Sequence, residues 1–194
     1  MKKYLLACAL VCALPSAASA QDAAPAAIPD FTGARVEARV GWETPTVSSE
    51  GEVFKIGQAV SFGGEAGFDF QLGERVVAGP YATYELSGVE ACADEDCLEI
   101  DDNLGAGVRV GYQAAQNGLV YVKLGYARMG LTLSAEGESA SGHLEGFQGA
   151  LGYEMNFGGG PLYGRIEANY ADLGSLGGIN FQRRHVALGL GARF

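Results

Sequence analysis

The last eleven residues limit what this chain can fold into more than any other stretch. In Arg184-His185-Val186-Ala187-Leu188-Gly189-Leu190-Gly191-Ala192-Arg193-Phe194, apolar side chains stand at Val186, Leu188, Leu190, Ala192 and Phe194. Ala187, Gly189, Gly191 and Arg193 fall between them. That is the period-two alternation of a strand with one apolar face. An exposed terminal phenylalanine gains little in a soluble protein, because termini fray. In lipid it has a use. The last strand of a closed barrel must pair with the first to leave no open edge, and an aromatic suits the interface where that strand stops. An edge strand of a soluble sheet is the competing reading of this stretch.

The opposite terminus reads as a targeting segment. Lys2 and Lys3 give a positive start, Leu5 to Leu14 an apolar run, and Ala18-Ser19-Ala20 a small-residue cleavage site. Residues 1–20 are therefore expected to be a cleaved signal peptide, and the run is too short to span a bilayer as a helix. Cys8 follows Leu5-Leu6-Ala7, but no apolar core precedes it, so lipidation is discounted. Residues 21–30, rich in Ala and Pro, are expected to form a flexible periplasmic lead-in. No later stretch is apolar for long enough to make a membrane helix. Mean hydropathy is near neutral, at +0.08, although 48% of residues are apolar, as alternation requires. Net charge is −10, and −12 once Lys2 and Lys3 are removed. Such a surface repels phosphate backbones, which argues against nucleic-acid binding.

From Phe31 onward the chain reads as about eight alternating segments of roughly ten residues, the length of a tilted membrane strand. Their inward sets carry Arg35, Glu37 and Arg39; Glu65 and Asp69; Glu85; Arg109; Lys123; Glu154; Arg165 and Glu167; and Arg193. These twelve balance in charge, so excess negative charge belongs to loops and turns. Buried charges need partners, and eight strands enclose only enough room for side chains. The lumen therefore reads as a paired polar core, more plug than pore, with a narrow ion path as the alternative. The outward sets end in aromatics. Trp42, Tyr84, Tyr126 and Tyr170 close the outward-running segments; Phe70, Tyr112, Tyr153 and Phe194 close the inward-running ones. Two interfacial girdles follow, which a soluble ligand-binding barrel has no cause to build. Pro80 is awkward in a paired strand and is expected to mark a bulge.

Connections alternate in length. Residues 73–75, 114–118 and 156–160 make short turns, while 44–59, 87–103, 134–143 and 172–182 are expected to be long polar loops. The second long loop holds Cys92 and Cys97, whose default in an exported protein is a disulfide. The same loop holds Glu90, Asp94, Glu95, Asp96, Glu99, Asp101 and Asp102. Its plain reading is a solvated surface; its functional one is attraction of cations or a basic partner. Nothing fixes a calcium geometry there, and no cofactor motif is present. Ser141-Gly142-His143 and His185 lack the base and orienting group that nucleophilic catalysis needs, so no enzymatic activity is expected.

Three stretches carry a resemblance. They are Tyr121-Val122-Lys123-Leu124-Gly125-Tyr126-Ala127, Arg165-Ile166-Glu167-Ala168-Asn169-Tyr170-Ala171-Asp172-Leu173-Gly174, and His185 to Phe194. Across the mature chain the sequence resembles the small outer-membrane β-barrel family, with its OmpA-type transmembrane domains, OmpX-like proteins and opacity-type porin-family surface proteins of Gram-negative bacteria. The family often has an aromatic at the positions of Ala168 or Asn169 and of Ala192, which this chain lacks. The resemblance implies an all-β, eight-stranded antiparallel up-and-down transmembrane barrel over residues 31–194. It implies an outer-membrane location and a C-terminal strand similar to the signal read by the barrel-assembly machinery. The expected role is structural or adhesin-like, as a monomer in outer-membrane lipid with a possible surface ligand at the loops. A narrow porin-like channel is the alternative.

Overall fold

The computed structural model describes residues 31–49, 51–93, 96–135, 138–176 and 178–194. The expected signal peptide and lead-in, together with Asp94 and Glu95 of the acidic loop, lie outside the described residues. Ten strands follow in order: β1 (Gly33–Ser49), β2 (Glu52–Lys55), β3 (Ala59–Gln71), β4 (Val76–Leu86), β5 (Glu90–Ala93), β6 (Asp96–Ala115), β7 (Gly118–Ala135), β8 (Glu138–Asn156), β9 (Leu162–Leu176) and β10 (Ile179–Arg193). Eight of them form an antiparallel ring, β1-β3-β4-β6-β7-β8-β9-β10, closed by β10 against β1. The closing ladder runs from Arg35↔Arg193 to Ser48↔Asn180. Beyond it, the Ala34 N–H donates to the Phe194 carbonyl and the Phe194 N–H to the Ala34 carbonyl. The terminal alternation thus ends in ring closure.

Facing follows the alternation. Val36, Val40, Phe62, Val108, Leu124, Ile166 and Leu188 are exposed on the outer wall, while Arg35, Asp69, Arg109 and Glu154 are buried inside. Apolar side chains on the outside of a ring with charges inside suit a lipid solvent and no other.

Two expectations need correction. Pro80 makes no bulge. The β3–β4 register is the same before and after it, from Gly67↔Tyr81 to Phe70↔Ala78; only the intervening pairings lapse. Proline lacks the N–H that the ladder would use, and its ring is exposed on the outer wall, so the sheet absorbs it without an added residue. The long loops are also mostly strand. β6 spans 20 residues and β8 spans 19, and β7 pairs β8 without interruption from Gly118↔Met155 to Ala135↔Glu138. Polar sequence reads as loop, yet the hairpins run on past the lipid, where the outer face of the strands carries polar residues too. β2 and β5 are short continuations of this kind, paired to β1 and β6 respectively.

Candidate functional site: a charged lumen and an acidic rim

The structure places all twelve charged residues singled out in the sequence inside the barrel, each buried. Two more join them: Glu43 and Arg183, both buried. The parity of β1 and β10 already pointed there, since each lies two residues beyond an inward position. The sequence alone does not single them out, because Glu43 falls between the first segment and its loop and Arg183 at a strand end. Among the described residues the interior therefore carries seven Arg or Lys and seven Asp or Glu side chains.

They form one continuous network. Glu65 is its hub, accepting from Arg39 Nη1 at 2.8 Å, from Arg165 Nη1 and Nη2 at 2.9 and 2.7 Å, and from Arg35 and Lys123. Glu167 accepts from Arg39 Nη2 at 2.7 Å and from the Tyr121 hydroxyl at 2.7 Å, and lies 2.7 Å from Lys123 Nζ. Arg165 Nη2 also meets Glu37 at 2.7 Å. Toward the chain termini, Asp69 accepts from Arg35 Nε and Arg193 Nη1 at 3.0 and 2.9 Å. Glu154 accepts from Arg109 and Arg193 at 2.8 and 2.6 Å. At the far end Arg183 joins Glu43 at 2.6 Å to Glu85 at 3.0 Å. Inward glycines make the room. A Cβ on Gly189 would collide with the Glu37 carboxylate, and one on Gly152 with the Tyr121 ring. Tyr121 in turn lies under Arg109, whose Cζ is 4.3 Å from the ring centroid, so aromatic faces supply part of the compensation that buried cations require.

Both ends of this charged layer are apolar, which the sequence reading did not foresee. Phe31, Val77 and Leu119 form a buried cluster at the end near the termini. At the opposite end Val89, Ile100, Ala127, Met129, Leu131, Leu144, Ala171 and Leu173 pack together, with Ala59, Leu98 and Phe181 against them. The signal was present in β7, where the inward positions change from Tyr121 and Lys123 to Ala127, Met129 and Leu131.

The aromatics chosen for the girdles, Trp42, Phe70, Tyr84, Tyr112, Tyr126, Tyr153, Tyr170 and Phe194, are all exposed on the outer wall. Tyr126 packs edge-on against Phe147 with centroids 5.7 Å apart. Cys92 and Cys97 are joined by a disulfide across the β5–β6 pair. Their sulfurs are thereby bonded to each other and offer no thiolate to a metal, although Glu90 stands close by. The two histidines part company. His143 is half exposed and lies 3.4 Å from Glu145, while Ser141 bonds Thr132 instead. His185 is buried, with Nε2 3.1 Å from Ser61 Oγ and Nδ1 3.8 Å from Glu85 Oε2. That is the atom order of a nucleophile, base and carboxylate. Ser61 is 0% exposed, however, and the arrangement pairs a buried imidazole. Ser61 and His185 lie 124 residues apart in sequence, beyond what a linear reading brings together.

Comparison with known proteins agrees with this architecture. Neisserial surface protein A superposes with a TM-score of 0.58 at 11% identity, over 82% of this chain and 97% of that one. The attachment invasion locus protein Ail of Yersinia pestis superposes with a TM-score of 0.51 at 12% identity, over 83% and 99%. At such identities the likeness is one of fold. No curated protein matches the chain by sequence. The family model described as the outer membrane protein beta-barrel domain matches residues 5–194. With a ring closed by β10 on β1, the chain belongs to that family, as an eight-stranded barrel of the Gram-negative outer membrane.

Proposed function

We propose that this barrel is a plugged membrane anchor with a structural or adhesin-like role at the cell surface, and that it does not conduct. One observation carries the reading. The seven cations and seven anions of the lumen neutralise one another in a continuous network, and apolar clusters close that network off at both ends. An ion entering would have to dewet two apolar layers and displace paired charges, each step costing several kcal/mol. The interior thus serves stability, and the hairpins beyond the lipid remain for contact. In this architecture, short turns and both termini face the periplasm, so the extended hairpins face outward. The chain is proposed to act as a monomer in outer-membrane lipid after signal cleavage, with β10 as the strand read by the assembly machinery.

The outer hairpins narrow the class of partner. Ail has been crystallised with sucrose octasulfate, a heparin analogue. The β5–β6 hairpin of the present chain carries Glu90, Asp96, Glu99, Asp101 and Asp102, which repel a polysulfate and attract a cationic surface. The test is a planar bilayer recording of refolded protein, with a heat-modifiable gel band to prove the fold. Wild type and Glu167→Gln are both expected to be silent. Steady conductance steps that change with Glu167→Gln would replace this proposal with the channel reading.

A further inference from the structure

Among the described residues, several strand edges on the outer rim lack a partner: the upper part of β8 beyond Phe147↔Asp172, and the two edges that flank the β3–β4 seam. The ring pairs β3 with β4 only as far as Phe62↔Leu86. Beyond that point the chain of β3 continues as β2, paired only to β1, and the chain of β4 as β5, paired only to β6. The two chains stay close just above the last pair, where a Cβ on Gly57 would meet the Val89 side chain and one on Gly88 the Val60 carbonyl. Higher up, each hairpin presents a bare edge among the described residues.

The hydrogen-bond phase tells which backbone groups that edge offers. The Ile100 N–H donates to the Val89 carbonyl at 2.9 Å. In an antiparallel pair, bonded and non-bonded positions alternate, so Ala91 and Ala93 turn their backbone groups to β6. Glu90 and Cys92 turn theirs to the open side. The same counting from the Ile56 N–H to the Pro45 carbonyl leaves Val53 and Lys55 facing outward on β2. Around the β5 edge the side chains are acidic: Glu90, Asp96, Glu99 and Asp101 are all exposed. The Cys92–Cys97 disulfide ties the edge strand to β6, so an incoming strand need not order it.

We propose that the β5 edge accepts an extended, basic segment of a partner protein as an added strand. Backbone groups at Glu90 and Cys92, two residues apart, match the repeat of such a segment, which is the mode by which sheets bind extended peptides. The ring of carboxylates selects its charge. A second copy of this chain is a poor occupant, because like-charged edges repel, a common safeguard against edge-to-edge pairing. The proposal rests on the surface-interaction reading above and gives it a contact site.

The probe is a fluorescent peptide of alternating lysine and valine, added to full-length barrel refolded in lipid nanodiscs and followed by anisotropy. Binding is expected, weakening at least about tenfold as added salt shortens the screening length from about 10 to about 3 Å. The same peptide N-methylated along its backbone should bind about tenfold more weakly, since it cannot complete the ladder. An alternating glutamate–valine peptide should not bind. Glu90→Pro removes an outward N–H without touching a bond to β6, and Glu90→Gln removes only the charge. The first should weaken binding about tenfold and the second about threefold or less. A heat-modifiable band and an intact disulfide by mass show that each variant is folded. Equal binding of the N-methylated peptide, equal effects of the two Glu90 variants, or loss of binding in Val53→Pro but not in Glu90→Pro would each overturn the β5 assignment. If no peptide binds while cells displaying the barrel still adhere to polylysine in a salt-sensitive way, the strand proposal falls and the surface reading stands. Conductance in the bilayer recording would sink the surface reading itself.

Discussion

Glu65 shows how much of this barrel's stability is concentrated in single buried groups. Its carboxylate faces Arg35, Arg39, Lys123 and Arg165 at once, and its side chain is fully buried. A buried ion pair adds little over a well-packed apolar pair, but removing one partner strands the other in a medium that cannot solvate it. Glu65→Gln should therefore cost about 3–5 kcal/mol, read as a lower urea midpoint for folding into lipid vesicles. A loss no larger than that of an exposed substitution would mean that water reaches the hub and the network is not sealed. Residue type and parity made Glu65 legible in the sequence as an inward charge. Its partners were not legible, because Arg165 lies 100 residues away and only the ring's stagger brings the two side by side.

A single strand records where the lipid begins and ends. The outward face of β7 reads Val120, Val122, Leu124, Tyr126 and then Arg128, all exposed. The first basic side chain on that face appears only after Tyr126. Charge on a barrel's lipid face is costly in a depth-dependent way, so Leu124→Arg should cost about 2–4 kcal/mol, while Arg128→Leu should shift stability by about 1 kcal/mol or less. Reversible unfolding from vesicles measures both, and similar costs at the two depths would mean the girdle is misplaced. The same strand explains what the sequence hid. Between Val120 and Tyr126 lipid enforces strict alternation, and the strand is plain to read. Past Tyr126 that constraint lapses. Met129 and Leu131 turn inward to an apolar cluster, and Thr132 bonds Asp101 and Ser141 on the neighbouring strands. A polar hairpin and a polar loop then look alike in the linear sequence.

The whole molecule divides into a ring that unfolds as one body and hairpins that need not unfold with it. Ring strands pair on both sides and share the charged interior, so loss of one exposes its neighbours' backbone to lipid, where unpaired groups cost several kcal/mol each. β5 differs. It pairs on one side only, lies outside the closed ring, and is joined to β6 by four register pairs and the Cys92–Cys97 bridge. A cross-link closing so short a loop is worth on the order of 2 kcal/mol, and that contribution acts on the opening of this hairpin rather than on the ring. Reduction, or a Cys92→Ser/Cys97→Ser double variant, should therefore leave the urea midpoint and the heat-modifiable transition unchanged. Cleavage by an externally added glutamate-specific protease at Glu90 or Glu99 should accelerate at least about tenfold, the factor that about 1.4 kcal/mol of local opening corresponds to. A fall in the global midpoint on reduction would show that the outer hairpins and the membrane ring are one cooperative unit. Unchanged cleavage would show that β5 is held by contacts other than its bridge, and that the edge it presents is fixed without it.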